Sequence, residues 1–136
     1  MSDDLYQQAI VEAAARGAQD TRLGPPAAAA TADNPLCGDR VTFEVRLEAG
    51  RVSRAGYRTR GCKLCEAATA LLAEAATGRD RAAIAAARTA TRAMLEAGAA
   101  PPWASFAAFT PVRRHPSRHA CVLLPFEALE QAMAGG

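Results

Sequence analysis

Four cysteines and one aspartate are the residues of this chain best suited to chemistry. Asp39 lies two residues after Cys37, Cys62 follows a glycine, Cys65 is three residues further on, and Cys121 lies in a late predicted helix. All four cysteines fall near the ends of predicted elements, where separate parts of a chain can meet and where a helix N-terminus favours a thiolate. Three thiolates and one carboxylate would satisfy a four-coordinate zinc or iron site.

Cys65 has more than one interpretation. At i+3 from Cys62 it can face the same site, or it can pack as a small buried residue. The segment Cys62-Lys63-Leu64-Cys65 also resembles a thioredoxin-type dithiol motif. A thioredoxin-like fold has a βαβ unit before that motif, whereas an antiparallel hairpin is predicted here. A dithiol oxidoreductase and a structural zinc-binding module remain the alternative functions.

Histidines and arginines cluster just before the last cysteine. His115 and His119 can each act as an extra ligand or a proton shuttle, although surface or capping roles are commoner. Arg113, Arg114 and Arg118 form the one local group of arginines and are candidates for contact with a partner protein. The formal net charge of +2 is too small to indicate a nucleic-acid partner.

Alanine dominates the composition and leaves few large side chains for a core. Of 136 residues, 35 are alanine, and 29 are larger apolar residues other than cysteine. The length fits one domain, residues 1–136, but its core is thin for that length. We therefore expect an added constraint, such as a bound metal or a partner, to contribute to stability.

The chain shows no signal for a membrane or for export. Its longest alanine-rich stretches are interrupted by charged residues and do not approach the roughly 20 apolar residues of a membrane span. The start is acidic, with Asp3 and Asp4, and no apolar run follows. We expect a cytoplasmic, reducing location, in which cysteines act as ligands or catalytic thiols before disulfides.

The periodicity of apolar residues predicts strands first and helices afterwards. Asp3 and Asp4 can cap a helix ending near residue 16, and residues 17–34 are predicted as a flexible loop. Strict alternation over residues 41–47, a turn at 48–51 and a second strand to residue 60 predict an antiparallel hairpin. A third strand is possible.

The second half of the chain is predicted to be helical. Helices are expected over residues 62–76 and 80–97, with Gly98 as a stop. Residues 101–116 are predicted to be irregular. Ser117 is expected to cap a last helix that breaks or restarts at Pro125. The fold class is therefore α+β, with a small antiparallel sheet covered on one face by helices.

Three separated motifs point to a known family. They are Asn34-Pro-Leu-Cys-Gly-Asp39, Gly61-Cys62 opening an alanine-rich helix, and Pro116-Ser-Arg-His-Ala-Cys121 with Phe126-Glu-Ala-Leu129 behind it. In this order they resemble the U-type iron–sulfur cluster assembly proteins, which comprise IscU, SufU and the NifU N-terminal domain. Ala120, where IscU proteins carry histidine, and the long segment between Cys62 and Cys121 resemble the SufU branch.

The resemblance implies a fold, a site and a function. It implies an IscU-like α+β domain in which Cys37, Asp39, Cys62 and Cys121 line one exposed metal site. In the IscU branch that site assembles an iron–sulfur cluster from iron and from persulfide sulfur supplied by a cysteine desulfurase, and passes it to a carrier or apo-protein. In the SufU branch it holds zinc, and the cysteine matching Cys37 accepts the sulfur.

Two residues have accessory roles under this resemblance. Cys65 can supply a fourth sulfur ligand, replace Asp39, or act as a second persulfide acceptor. His119 can substitute for the histidine that IscU proteins carry one residue later.

Overall fold

A three-stranded antiparallel sheet forms one layer of the protein. The computed structural model describes residues 7–135. Strands β1 (Ala28–Asn34), β2 (Asp39–Glu48) and β3 (Arg51–Arg60) lie in the order β1-β2-β3. The predicted hairpin is confirmed as β2 and β3, in which Phe43 pairs with Tyr57 across the strands. The alternation seen in the sequence places Val41, Phe43 and Val45 in the core.

β1 corrects the prediction that residues 17–34 form a loop throughout. Residues 28–34 pair with β2 along their whole length, from Ala28 opposite Val45 to Asn34 opposite Asp39. Four of the seven residues in β1 are alanines, which have low strand propensity and no apolar alternation to detect. Hydrogen bonding to β2, which is a tertiary effect, stabilises this strand.

Helices pack on one face of the sheet. They are α1 (Gln8–Gly17), α2 (Lys63–Ala76), α3 (Arg81–Ala97) and α4 (His119–Ala134). Asp80 caps α3 by accepting a hydrogen bond from the Ala83 amide at 2.9 Å, and Gly98 ends it in a left-handed conformation at φ +74°. These observations confirm the α+β fold class. The predicted cap at Asp3 and Asp4 lies outside the described residues.

The segment between α3 and α4 differs from its prediction. Ala104–Arg114 and Pro116–Arg118 are 3-10 helices, where irregular chain was expected. Their aromatic residues form a cluster: Phe106 lies 5.3 Å from Trp103 and 5.7 Å from Phe126 between ring centroids. Burial of these rings offsets the weak intrinsic stability of 3-10 structure.

The last helix also differs from its prediction. α4 begins at His119, with Arg118 rather than Ser117 in the cap position. It continues through Pro125 without a break, because this proline is buried among core contacts that outweigh one missing hydrogen bond. Proline has no amide hydrogen, so it leaves the carbonyl of Cys121, four residues earlier, without its usual helical donor.

Alanine lets the helices approach closely. Ala67, Ala68 and Ala70 of α2 are fully buried, and α1 packs against this helix. At the end of α1, Gly17 is so close to α2 that a Cβ placed there would overlap the carbonyl oxygen of Glu66. The alanine count therefore reflects close helix packing as well as a shortage of large core residues. Over the described residues, no helix is long and apolar enough to cross a membrane.

Gly17→Ala is expected to destabilise the protein by about 1–3 kcal/mol, since the added methyl group must displace backbone. The loss outweighs the gain of up to about 1 kcal/mol in helix propensity. Chemical denaturation monitored by circular dichroism measures this change. Gly135→Ala is the matched control, because its Cβ would meet its nearest atom at an ordinary 3.7 Å. Equal stability of the two variants would contradict the close contact.

Candidate metal centre

Cys37 lies on an exposed turn between β1 and β2. The turn is held by hydrogen bonds to Asn34: the Gly38 amide donates to its carbonyl oxygen at 2.8 Å, and the Leu36 amide donates to its side-chain oxygen at 3.1 Å. Gly38 has φ +74°, a conformation that glycine adopts without strain. The turn leaves Cys37 exposed, and Leu36 is 97% exposed beside it.

Asp39 begins β2 and is the buried anchor of the site, with only 2% of its surface exposed. Its Oδ1 accepts a hydrogen bond from the Cys62 amide at 3.1 Å. Gly61 gives the carboxylate room, because a Cβ at this position would lie 2.5 Å from Asp39 Oδ1. The glycine before Cys62 is therefore required by the carboxylate opposite it.

Cys62 and Cys121 approach Asp39 from two helix N-termini. Cys62 is the N-cap of α2 and is half-buried, with its Sγ 3.8 Å from Asp39 Oδ2. Cys121 lies in the first turn of α4 and is buried. Helix N-termini carry partial positive charge, which favours thiolates at these positions.

The donor atoms of three of these residues already form a compact group. The Sγ atoms of Cys37 and Cys121 and a carboxylate oxygen of Asp39 all lie within 4.8 Å of one another. Two sulfurs on a tetrahedral zinc, each about 2.3 Å from the metal, are about 3.8 Å apart. The distances between these donor atoms would therefore need to shorten by only about 1 Å for metal binding. The thiol and carboxylate donors suit zinc or iron.

The two cysteines on helices differ in acidity. A hydrogen bond from the Cys121 thiol lowers the pKa of Cys62 to about 6, and backbone amides of α2 act in the same direction. The same interaction, together with burial, raises the pKa of Cys121. In the metal-free site the interaction between the two sulfurs therefore favours the thiolate form at Cys62 over the thiolate form at Cys121.

Cys65 is in the hydrophobic core and outside the compact group of donors, although Asp39, Cys62 and Cys37 act on its thiol electrostatically. It is fully buried, and burial is the main cause that raises the pKa of its thiol. Its carbonyl accepts a hydrogen bond from the Thr69 hydroxyl at 2.8 Å. Its full burial favours the interpretation of Cys65 as a small packed residue, and its accessory role at the metal site stays a prediction.

His119 also lies outside the compact group of donors. Its Nε2 is 3.2 Å from the Val112 carbonyl oxygen and 3.3 Å from that of Arg113. These contacts fasten the 3-10 segment to the start of α4. The structure thus assigns His119 a structural contact.

The predicted partner-binding arginines are separated. Arg113 and Arg114 line a cavity of about 370 Å³ together with Gln7 of the segment before α1. Arg118 is partly buried in the turn before α4, and His115 is exposed. None of them lines the larger cavity beside the metal centre.

That larger cavity shows residues that sequence analysis missed. It measures about 450 Å³ and borders Gly38, Asp39, Arg40 and Arg60. Arg40 is opposite Arg60 in the β2–β3 pairing. The signal was available, since Arg40 follows Asp39 and Arg60 precedes Gly61, but the pairing of the two strands is needed to see that they are neighbours.

Known proteins share this fold and this sequence pattern. Residues 6–133 match the NifU-like N-terminal domain. A bifunctional NifU/MnmA protein of Rubrobacter xylanophilus is 33% identical over 78 residues, which are 57% of this chain but only 16% of that protein. The chain thus aligns with a small part of that relative.

Two solved structures superpose on nearly the whole chain. The N-terminal region of a nitrogen-fixing NifU-like protein from Brucella abortus has a TM-score of 0.87 and 31% identity, covering 98% of this chain and 95% of that one. A candidate iron–sulfur cluster assembly scaffold protein for the SUF system from Fervidobacterium islandicum has a TM-score of 0.86 and 20% identity, covering 98% and 99%. The second likeness shows the fold alone.

These matches confirm the resemblance on which the three sequence motifs converged. The family match spans almost the full chain, and the chain covers nearly all of a solved relative of 31% identity. Together these two findings establish the family. The chain belongs to the NifU-like N-terminal domain family.

Proposed function

We propose that this protein is a scaffold for iron–sulfur cluster assembly, with Cys37, Asp39, Cys62 and Cys121 as the ligands of its cargo. The observation that carries the proposal is the convergence of two thiols and a buried carboxylate within 4.8 Å, with the Cys62 sulfur 3.8 Å from the same carboxylate. These residues come from three separate parts of the chain. Their meeting at the ends of β1, β2, α2 and α4 favours a binding site over isolated core cysteines. The family match over residues 6–133 supports treating residues 1–136 as one domain.

The donors have different mobility, which suits loading and release of a cargo. Cys62 and Cys121 are held by helices, and Asp39 is held by the Cys62 amide. Cys37 alone lies on an exposed turn. Cys37 is therefore the donor that can exchange, while the other three donors hold the cargo in place.

The same site supports a sulfur-accepting step at Cys37. The Cys37 thiolate attacks the outer sulfur of a persulfide on a cysteine desulfurase. The sulfur–sulfur bond of the donor breaks, the desulfurase cysteine leaves as a thiolate, and a new sulfur–sulfur bond forms on Cys37. Thiolate and persulfide exchange in this step, so no external oxidant or reductant is required.

Zinc is the second occupant that the donor set fits, and the SufU resemblance favours it. Bound zinc would neutralise the thiolates and keep them from pairing as disulfides. Cys62, Cys121 and Asp39 would hold it while Cys37 exchanges. Sulfur acceptance at Cys37 is common to the zinc and the cluster forms.

The exposed turn is also where we place contact with the desulfurase. Leu36, 97% exposed, is the most exposed large hydrophobic residue of the described part of the chain and is next to the accepting thiol. A large apolar side chain left in water at this position suits burial against a partner. A downstream carrier or apo-protein would receive the cluster from the same open side.

The alternative dithiol oxidoreductase has less support. It needs Cys65 as a redox partner of Cys62, and Cys65 is fully buried with a raised pKa. A thiol in that state is neither accessible nor ionised near neutral pH.

Metal content tests the ligand set. Anaerobically purified protein is expected to hold about one zinc ion or one cluster per chain. Cys37→Ala and Cys121→Ala should each weaken binding more than about 100-fold, beyond the effect typical of residues that only orient ligands. Cys65→Ala is the matched control and should retain full metal content. Metal analysis with a competing chelator measures both. Equal metal loss in all three variants would contradict the proposed ligand set.

Sulfur acceptance tests the role of Cys37. Incubation with a cysteine desulfurase and cysteine should add one sulfur atom to the protein, measured by intact-mass spectrometry. Cys37→Ala should abolish the added mass and Cys65→Ala should leave it unchanged. An unchanged mass gain in Cys37→Ala would exclude Cys37 as the acceptor.

Metal removal should lower the melting temperature, since a ligand that binds only the folded state stabilises it. At free metal about 100 times its dissociation constant, the stabilisation is about 2.7 kcal/mol, or about 10 °C for a domain of this size. Calorimetry before and after verified removal of metal measures the shift. An unchanged melting curve would show that the alanine-rich core suffices without metal.

A further inference from the structure

The outer face of the sheet, opposite the helices, carries an unusual concentration of arginine. Two cross-strand rows lie next to each other on this face. One row consists of Thr31, Thr42 and Arg58, and the next consists of Asp33, Arg40 and Arg60. Arg22, from the segment running beside β3, completes the group. All four arginines and both threonines of this group line a single cavity of about 130 Å³.

The charges in this cavity are not balanced. Arg40 pairs with Asp33 at 2.6 Å, and Arg22 pairs with Asp20 at 2.9 Å. No ion pair or hydrogen bond of the described residues engages the guanidinium groups of Arg58 and Arg60, although Asp20 acts on Arg58 at longer range. Four guanidinium groups therefore line the cavity, and only two of them, those of Arg22 and Arg40, have a carboxylate partner.

Strand pairing makes this arrangement costly without a ligand. Arg40 and Arg60 are direct cross-strand partners on the same face of the sheet. Like charges in this relation destabilise a sheet by a few tenths to about 1 kcal/mol. Guanidinium groups are also suited to oxyanions, which they bind through two parallel hydrogen bonds.

The floor of the cavity adds neutral donors. The hydroxyl groups of Thr31 and Thr42 are hydrogen-bonded to each other at 2.8 Å. One of the two hydroxyl hydrogens is used in that bond, so the other is available to a bound oxyanion. A doubly charged anion would meet two unpaired cations and a hydroxyl donor.

The cavity is next to the space beside the metal centre. Arg40 and Arg60 line both the small cavity and the 450 Å³ cavity that borders Asp39.

We propose that Arg22, Arg40, Arg58 and Arg60, with Thr31 and Thr42, form a binding site for a small dianionic ligand, either a phosphate monoester or a dicarboxylate. The site is distinct from the cysteine centre and does not depend on its function. The unpaired positive charge comes from Arg58 and Arg60. The rest of the guanidinium lining comes from Arg40 and Arg22.

Calorimetric titration of the metal-loaded protein tests the proposal, with inorganic phosphate, glycerol phosphate and succinate as probes at constant ionic strength. These anions chelate metal weakly, so metal analysis afterwards verifies that the cysteine centre is unchanged. Saturable binding of one anion per chain is expected for at least one probe. The comparison of the three probes distinguishes phosphate from carboxylate ligands.

Variants localise the binding. Arg58→Gln and Arg60→Gln should each weaken it at least about tenfold, the usual effect of one charge-assisted hydrogen bond. Arg54→Gln is the matched control: it removes the same charge from the same face of β3, about 13 Å from Arg58, and should change affinity less than about twofold. Circular dichroism verifies that each variant is folded. Failure of every probe to saturate at millimolar concentration, or equal weakening by Arg54→Gln, would overturn the proposal.

Discussion

The contact between a buried carboxylate and a helix N-terminus organises this protein. Asp39 is at the first position of β2, and it accepts a hydrogen bond from the Cys62 amide, at the N-cap of α2. An unpaired buried charge would be costly, and the amide and the helix dipole offset that cost. The contact fixes the sheet relative to α2 and places two of the proposed ligands. Gly61 is required because nothing larger fits beside the carboxylate.

The rest of the core allows that contact to form with few large residues. Alanines let α1 and α2 approach within backbone distance, while four aromatic rings from residues 103–126 fill the space between α3 and α4. The exposed turn that carries Leu36 and Cys37 leaves the site open to a partner or a cargo.

Sequence reasoning was most successful where a pattern is local. The β2–β3 hairpin, α2, α3 and the end of α3 at Gly98 follow from period, propensity and stop residues that lie within a few positions of one another. The grouping of Cys37 with Asp39 and Cys121 was also predictable, because ligand types and motif order indicated it. In these cases the residue type itself indicates the environment that the side chain needs.

What the sequence could not show depends on contacts between distant segments. The alanines of β1 carry no strand signal of their own and are ordered by pairing with β2. Pro125 was expected to interrupt α4, but its burial outweighs the lost hydrogen bond. The core position of Cys65 and the structural contacts of His119 also required packing, since their spacing alone allowed either outcome.

The turn that carries Cys37 determines the side on which the ligand set can open. Two sulfurs are held by helices, whereas the third is on the segment between β1 and β2, so only one side of the ligand set can open without disturbing the fold. A bound group would remain attached to α2 and α4 while its opposite side is exchanged. A bound group would then enter and leave on the side of the site next to Leu36, and a protein that covers Leu36 would control this exchange.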